Sequence, residues 1–218
     1  SGGIDSALVA TVAADALGAN HVHAVLMPSR YSSDHSLVDA EELAANLGIN
    51  TVVVPIESAH SALGSELASS IAGDLAGVAD ENLQARIRGV MLMSLANTFD
   101  WLVLTTGNKS EAAVGYSTLY GDTVGAYAPI KDVYKTVVYE LVGWRNERDG
   151  APMVPISIIE KAPSAELRPN QRDDDSLPNY EDLDPLLESY IEGDRTRAEL
   201  VDDGFDPDLV EEVVRLVD

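Results

Sequence analysis

Three short stretches of this 218-residue chain hold residue types and spacings suited to an anionic ligand. The first is SGGIDS, Ser1 to Ser6. Two glycines let the backbone approach a ligand closely and take positive φ. The helix that follows points its free N–H groups and positive dipole end at the same spot. Ser1 and Ser6 add hydroxyls, and Asp5 stands where a magnesium ion bridging phosphates would want a hard oxygen. The loop suits pyrophosphate but lacks the Gly-Lys-Ser/Thr ending of a Walker loop. The same residues also fit a plain strand–helix turn with Asp5 as an N-terminal helix carboxylate. The second stretch is ENLQARIRG, Glu81 to Gly89, in which Asn82 and Arg86 are four apart on one helical face, away from the Leu83/Ile87 stripe. An amide beside a guanidinium can bind a ribose or a carboxylate, although any single Arg also fits a solvated face. In a chain so poor in basic residues, the Arg-x-Arg pair asks for an anion. The third is LTTGNKSE, Leu104 to Glu111, where a buried run ends at Thr105, Thr106 and Gly107. Ligands of open parallel sheets bind at such strand ends. Thr106 can bond a nucleotide and Glu111 can complete a magnesium site with Asp5; a polar β–α turn is the plainer alternative.

These residues need a scaffold, and the pattern supplies an α/β one. Leu8, Val9, Val12, Ala13 and Ala16 recur at helical spacing until Gly18. His21 to Met27 and Thr51 to Pro55 read as strands around a helix over Asp34 to Leu47 that Gly48 stops. Asp80 to Thr98 reads as a helix burying Leu83, Ile87, Val90, Met91 and Leu95, and Trp101 to Thr105 as the next buried strand. Residues 108–130 form an elaborate loop region, and Asp132 to Gly143 is helical. Pro152 to Pro185 has the loose composition of ligand loops. From Tyr180 the chain is helical, with a capping box at Thr196 and Glu199 and a last helix opened by Asp206–Pro207. Alternating helices and short β-branched runs signal a parallel sheet with helices on both faces. A strand normally precedes a loop such as SGGIDS, so the expectation is a chain cut at Ser1 or a disordered leader.

Composition narrows the function. The apolar share is 45%, no run approaches the ~18 apolar residues of a membrane span, and no signal peptide opens the sequence. With no cysteine, disulfides, cysteine-ligated metal and thiol catalysis are excluded, and the cytoplasm is the expected compartment. The formal net charge of −23 argues against a nonspecific grip on nucleic acid. Lysine is confined to positions 109, 131, 135 and 161. This pattern is similar to that of proteins from salt-loving organisms, whose cytoplasm screens the repulsion.

SGGIDS resembles the signature loop of ATP pyrophosphatases. Taken in order, SGGIDS, MPSRYSS, ENLQARIRG, LTTGNKSE, YGDTVGAYAPIKDVYKT and KAPSAELRPNQRDDDSLPNYEDLD resemble NAD synthetase across nearly the whole chain. The resemblance implies a single domain over residues 1–218. Its fold would be adenine-nucleotide α-hydrolase-like and Rossmann-like, a parallel sheet sandwiched by helices with a small helical C-terminal part. It implies a homodimer, and ATP, magnesium, deamido-NAD and ammonia as ligands. ATP contacts then fall on Ser1, Gly2, Gly3, Asp5, Ser6, Met27, Arg30, Thr106, Lys135 and Ser164, and magnesium on Asp5 and Glu111. Deamido-NAD contacts fall on Asn82, Arg86 and Glu111, and Asp5 and Lys135 carry the catalysis. The implied reaction makes an acyl adenylate from the nicotinate carboxylate, which ammonia then converts to the amide. Asp173, Asp174 and Asp175 are candidates to deprotonate ammonium, and equally fit solvated acids.

The pattern also departs from the family's. Short ammonia-dependent members carry a lysine where this chain has Leu119 and an aspartate where it has Ala126, so the loop is more like the longer glutamine-dependent branch. The resemblance leads to the expectation of a basic segment after the last helix and, in the longer branch, of an amidohydrolase domain; neither lies within these 218 residues, so ammonia would come free or from a fused or partner glutaminase. Two rivals stay open. One is another ATP pyrophosphatase, such as the synthetase half of GMP synthetase or a tRNA-thiolating enzyme. The other is a nucleotide-binding module without turnover.

Overall fold

The computed structural model describes residues 2–148, 150 and 152–218. Helix α1 (Ile4–Leu17) starts behind an extended Gly3 and buries Ile4, Ala7, Leu8, Val9 and Ala13, while Val12 is exposed. Strand β1 (His23–Leu26) pairs in parallel with β2 (Asn50–Val53), His23 opposite Asn50 and Leu26 opposite Val53. Helix α2 (Asp34–Leu47) crosses between them. Ser33 caps its start by accepting from the Ser36 amide, and Gly48 ends it at φ 67°, a left-handed value that few other residues tolerate. This β–α–β unit matches the pattern reading closely.

Beyond it the structure departs in three places. Glu57–Ile71 forms a helix, α3, that the sequence pattern did not announce. The expected strand over Trp101 to Thr105 shrinks to one parallel bridge, Leu104 to Tyr127, flanked by bonds from the Thr105 amide to the Tyr127 carbonyl and from the Ala126 amide to the Val103 carbonyl (both 2.9 Å). The run is apolar enough for a strand, but only one of its residues has a partner in register. Of the expected stripe, helix α4 (Val78–Phe99) fully buries only Ile87, together with Gln84, Ala85, Gly89 and Ala96; Leu83, Met91 and Leu95 are partly buried and Val90 is 67% exposed. Leu83, Ile87, Val90 and Met91 instead line an open groove of about 190 Å³ with Ala59 and Leu63 of α3.

The C-terminal half is helical. It runs through α5 (Lys109–Ala113), α6 (Lys135–Arg148), α7 (Ile156–Glu160), α8 (Tyr180–Leu187), α9 (Arg197–Asp202) and α10 (Pro207–Val217). One core joins α1, α2, α6 and α7 through Ile4, Leu8, Leu43, Leu47, Val138, Val142 and Ile158. Arg145 of α6 fastens it by donating from Nε and Nη2 to Asp15 at 2.7 and 3.0 Å, which holds the Asp15 pKa below the usual carboxylate value. The second core packs α8 against α9 and α10. Val210, Val213 and Val214 recur at helical spacing and meet Leu183, Leu187 and Leu200. Its α10 starts as the pattern requires, with Asp206 accepting from the amides of Asp208 and Leu209 (both 3.0 Å) and Pro207 at the first turn.

The acidic surface has an expected consequence. With 14 basic side chains against 37 acidic ones, most carboxylates lack a cation partner, and their repulsion acts over ~30 Å at 0.01 M salt but ~3 Å at 1 M. The melting temperature should therefore rise steadily from dilute buffer to molar potassium chloride. A flat or falling series would show that local ion pairs dominate instead.

Candidate active site

The first turn of α1 is the centre of the site. A Cβ on Gly2 would lie 2.5 Å from the Ser36 carbonyl oxygen, so the loop lies directly against the start of α2 and only glycine fits. Gly3 is extended at φ −98° rather than left-handed. The expectation of positive φ is thus corrected at Gly3, and close approach is what needs Gly2. The N-cap residue Gly3 has no side chain with which to cap α1, and the first-turn amides of a helix suit an anion. Ser6 donates to the Gly3 carbonyl at 2.9 Å, and Ser1 lies outside the described residues.

Asp5 meets two other elements. Its Oδ1 accepts from Asn108 Nδ2 at 2.8 Å and its Oδ2 from Lys135 Nζ at 2.5 Å. Lys135 Nζ also reaches Glu111 Oε1 at 3.3 Å. Asn108 and Glu111 form the capping box of α5, with the Glu111 amide donating to Asn108 Oδ1 at 2.9 Å, so the local motif that starts the helix also aims Glu111. Lys135 opens α6 and is 2% exposed. Burial works against its charge, but Asp5 and Glu111 outweigh it and raise its pKa. Burial pushes the Glu111 pKa up, Asp5 adds to the rise, and Lys135 works the other way. One ammonium thus faces two enclosed carboxylates and cannot balance both when they are ionised, so a further positive charge there is favourable.

That donor set fits magnesium, which takes one or two protein carboxylates and completes its shell with phosphates and water. No cluster of three or more His, Cys, Asp or Glu that could hold a metal occurs among the described residues, so a magnesium ion held by Asp5 and Glu111 would need other ligands to fill its shell.

Beside this cluster sits a second. Glu166 Oε1 accepts from Ser33 Oγ (3.0 Å), Ser36 Oγ (2.6 Å) and Lys161 Nζ (2.7 Å), and Lys161 also bonds Ser36. Ser164 accepts from the Glu166 amide at 3.1 Å, which places it near the α1 loop through Ser36. Met27, just past β1, offers its carbonyl to Arg88 Nε at 3.0 Å. Thr106 is partly buried just before Asn108. Arg30 is exposed and engaged with Glu57 and Ser61, apart from these contacts.

A third group lies on α4. Thr118 donates to Asn82 Oδ1 at 2.7 Å, and Arg86 Nε donates to the Leu119 carbonyl at 3.2 Å. The 118–124 loop reaches them because Gly89 and Gly121 leave no room for a side chain: a Cβ on Gly89 would meet the Tyr120 carbonyl at 2.7 Å. Arg86 also lines the α3–α4 groove with Leu83 and Ile87, so its separation from that stripe is corrected.

Of the three consecutive aspartates, only Asp173 faces inward. It is 5% exposed and accepts from Tyr180 (3.0 Å) and Tyr116 (3.3 Å). The Tyr180 ring lies 5.4 Å from Lys135 Nζ. Asp174 pairs with Arg172 at 2.8 Å and Asp175 with Arg168 at 2.9 Å, both near the surface. The sequence reading missed Asn108, Tyr116, Tyr180 and Asp184. Asp184 is buried on α8, where Oδ1 accepts from Ser110 Oγ at 2.5 Å and Oδ2 from the Thr136 amide and hydroxyl at 2.8 Å each. Ser110 in turn accepts from the Lys135 amide at 2.9 Å. Only the Asn-x-x-Glu spacing of the α5 cap signalled any of these in advance.

An α/β scaffold with a parallel sheet, a glycine loop opening α1 and an acid–lysine–acid cluster beside it defines an adenine-nucleotide α-hydrolase-like fold. The chain belongs to the NAD synthase family, whose model matches residues 1–218. It is 51% identical to a glutamine-dependent NAD(+) synthetase of Rhodobacter capsulatus, covering all of this chain and 41% of that protein. A solved glutamine-dependent NAD+ synthetase of Acinetobacter baumannii, in complex with ADP, superposes with a TM-score of 0.72 at 45% identity, over 99% of this chain and 38% of that one. The NH3-dependent NAD synthetase of Campylobacter jejuni superposes at 0.76 with 30% identity, over all of this chain and 80% of that one. The chain thus spans about two fifths of the length of the curated relatives it matches. No helix among the described residues is long and apolar enough to cross a membrane.

Proposed function

We propose that this chain performs the synthetase step of NAD formation, the ATP-dependent amidation of deamido-NAD with release of AMP and pyrophosphate. The observation that carries the reading is the Asp5–Lys135–Glu111 cluster at the first turn of α1. A carboxylate has no usable leaving group, so an oxygen of the nicotinate attacks the α phosphate and pyrophosphate departs. Ammonia then forms the C–N bond and AMP leaves with the C–O electron pair. The α1 loop amides and Lys135 bind and orient the phosphates where negative charge accumulates. Asp5 and Glu111 would hold magnesium, which when bound supplies charge neutralisation on phosphate oxygens. Asn82 and Arg86 bind the deamido-NAD, Gly2, Gly3, Ser6, Met27, Thr106 and Ser164 contact ATP, and Ser1 belongs with them. Arg30 joins only by leaving Glu57.

Ammonia reaches the site from a glutaminase, a reading supported by Leu119 and Ala126 and by the greater identity to glutamine-dependent relatives. The apolar groove and exposed residues of α3 and α4 support a homodimer in which a second copy covers that face. We place the enzyme in the cytoplasm, as a single synthetase domain over residues 1–218.

The experiment is a product assay. AMP and pyrophosphate should appear together only when deamido-NAD and ammonium are both supplied with magnesium-ATP. Release with xanthosine monophosphate instead would favour a GMP-synthetase-like enzyme, and nucleotide binding without release a regulatory module. Arg86→Ala should raise KM for deamido-NAD about 10- to 100-fold, the worth of one charged hydrogen-bonded contact, with KM for ATP unchanged. Damage to ATP binding alone would refute that placement.

A further inference from the structure

Arg86 and Arg88 read in sequence as one basic pair, but the helix separates them. Two residues rotate about 200° around an α-helix, so the two side chains leave α4 on opposite sides. Arg86 reaches the Leu119 carbonyl, whereas Arg88 reaches the Met27 carbonyl beyond β1.

Arg88 is also electrostatically unlike its neighbours. Among the described residues, six cations are not exposed: Lys109, Lys135, Arg145, Lys161, Arg168 and Arg88. The first five each meet a carboxylate within ion-pairing distance, and Arg88 meets none. A guanidinium carries five N–H groups. One is spent on Met27, and among the described residues no acceptor takes the other four. Burial pulls its pKa down, and the opposing attraction comes from Glu166 at longer range. Glu166 is already held by Lys161, Ser33 and Ser36. In a chain with 37 acidic residues, a partly desolvated cation with no acid beside it is a vacancy for an outside anion.

The position says which anion. Arg88 bonds the residue just past the end of β1, where ligands of a parallel sheet bind, and the acid that attracts it, Glu166, is bonded to Ser33 and Ser36 of the turn that touches Gly2. We propose that Arg88 is a further ATP-binding residue, its free guanidinium N–H groups taking a phosphate of the nucleotide while its Nε holds Met27 beneath it. This rests on the synthetase reading for the identity of the nucleotide.

The test is direct binding to the whole chain in magnesium-containing buffer, comparing ATP with adenosine, alongside melting temperature. Arg88→Met should weaken ATP about 10- to 100-fold, leave adenosine within about twofold and not lower the melting temperature, since it removes a buried unpaired charge. Unchanged ATP affinity overturns the proposal. So does a parallel loss of ATP and adenosine with a lower melting temperature, which marks Arg88 as a tether for β1. If Arg88→Met does not fold, Arg88→Lys is read by the same ATP-against-adenosine comparison. Failure of the parent protein to amidate deamido-NAD would sink the functional reading instead, and leaves this binding comparison intact.

Discussion

Asp5→Ala should reduce AMP release by about 10³-fold while the protein keeps its fold. Asp5 is the junction of the site: one oxygen takes Asn108, and the other takes Lys135. Without it the magnesium proposed for the site would lose one of two protein carboxylates, and no neutral neighbour could replace a hard anionic ligand. The fold should survive because Lys135 retains Glu111 and α1 retains its buried apolar face. Asp5→Asn separates charge from shape, since it can still face Lys135 but cannot supply the negative charge. Turnover of either variant near the parent rate at saturating magnesium would remove Asp5 from the mechanism.

Lys135→Met should damage both activity and stability, and the stability loss should depend on pH. The parent lysine faces two enclosed carboxylates, and removing one partner of a buried pair costs roughly 3–5 kcal/mol because it strands the other charge. Burial and Asp5 already push the Glu111 pKa up, and loss of the lysine raises it further. A carboxyl whose folded pKa exceeds its unfolded value disfavours the folded state increasingly as pH rises through that interval, and the penalty vanishes below the unfolded value. The variant should therefore lie close to its parent in denaturant unfolding near pH 4.5 and fall well behind it at pH 8. A gap that stays constant across this range would mean that packing, not charge, is what Lys135 provides.

These contrasts show where the amino-acid pattern sufficed and where it did not. Helix α2 was readable end to end because its signals are local, a serine cap and a left-handed glycine stop. The same holds for the Thr196–Glu199 box and for the Asp206–Pro207 start of α10. Helix α3 escaped notice because its sequence is dominated by Ala, Ser and Gly, which give no marked apolar period. The Trp101–Thr105 run misled for the opposite reason: its composition suits a strand, but pairing needs partners far along the chain. In the site, Asp5 and Glu111 stood out within short motifs while Lys135 came only with the family resemblance, and the structure brings all three together. Tyr116, Tyr180 and Asp184 could not be found that way, because each acts through a contact that exists only after folding.

Asp184 gives the C-terminal helices a meaning beyond packing. It ties α8 to Ser110 of α5 and to Thr136 at the start of α6, the two elements that carry Glu111 and Lys135. The helices α8 to α10 share one hydrophobic core, so they open as one cooperative unit. Amide hydrogen exchange in α8 and in the first turn of α6 should then report the same opening event. A molecule whose tail has frayed should consequently be a disarmed one even with its β–α–β unit intact, and a mutation in α10, which packs on α8 and α9 and holds none of the Asp5–Lys135–Glu111 cluster, should lower the fraction of molecules with an assembled site.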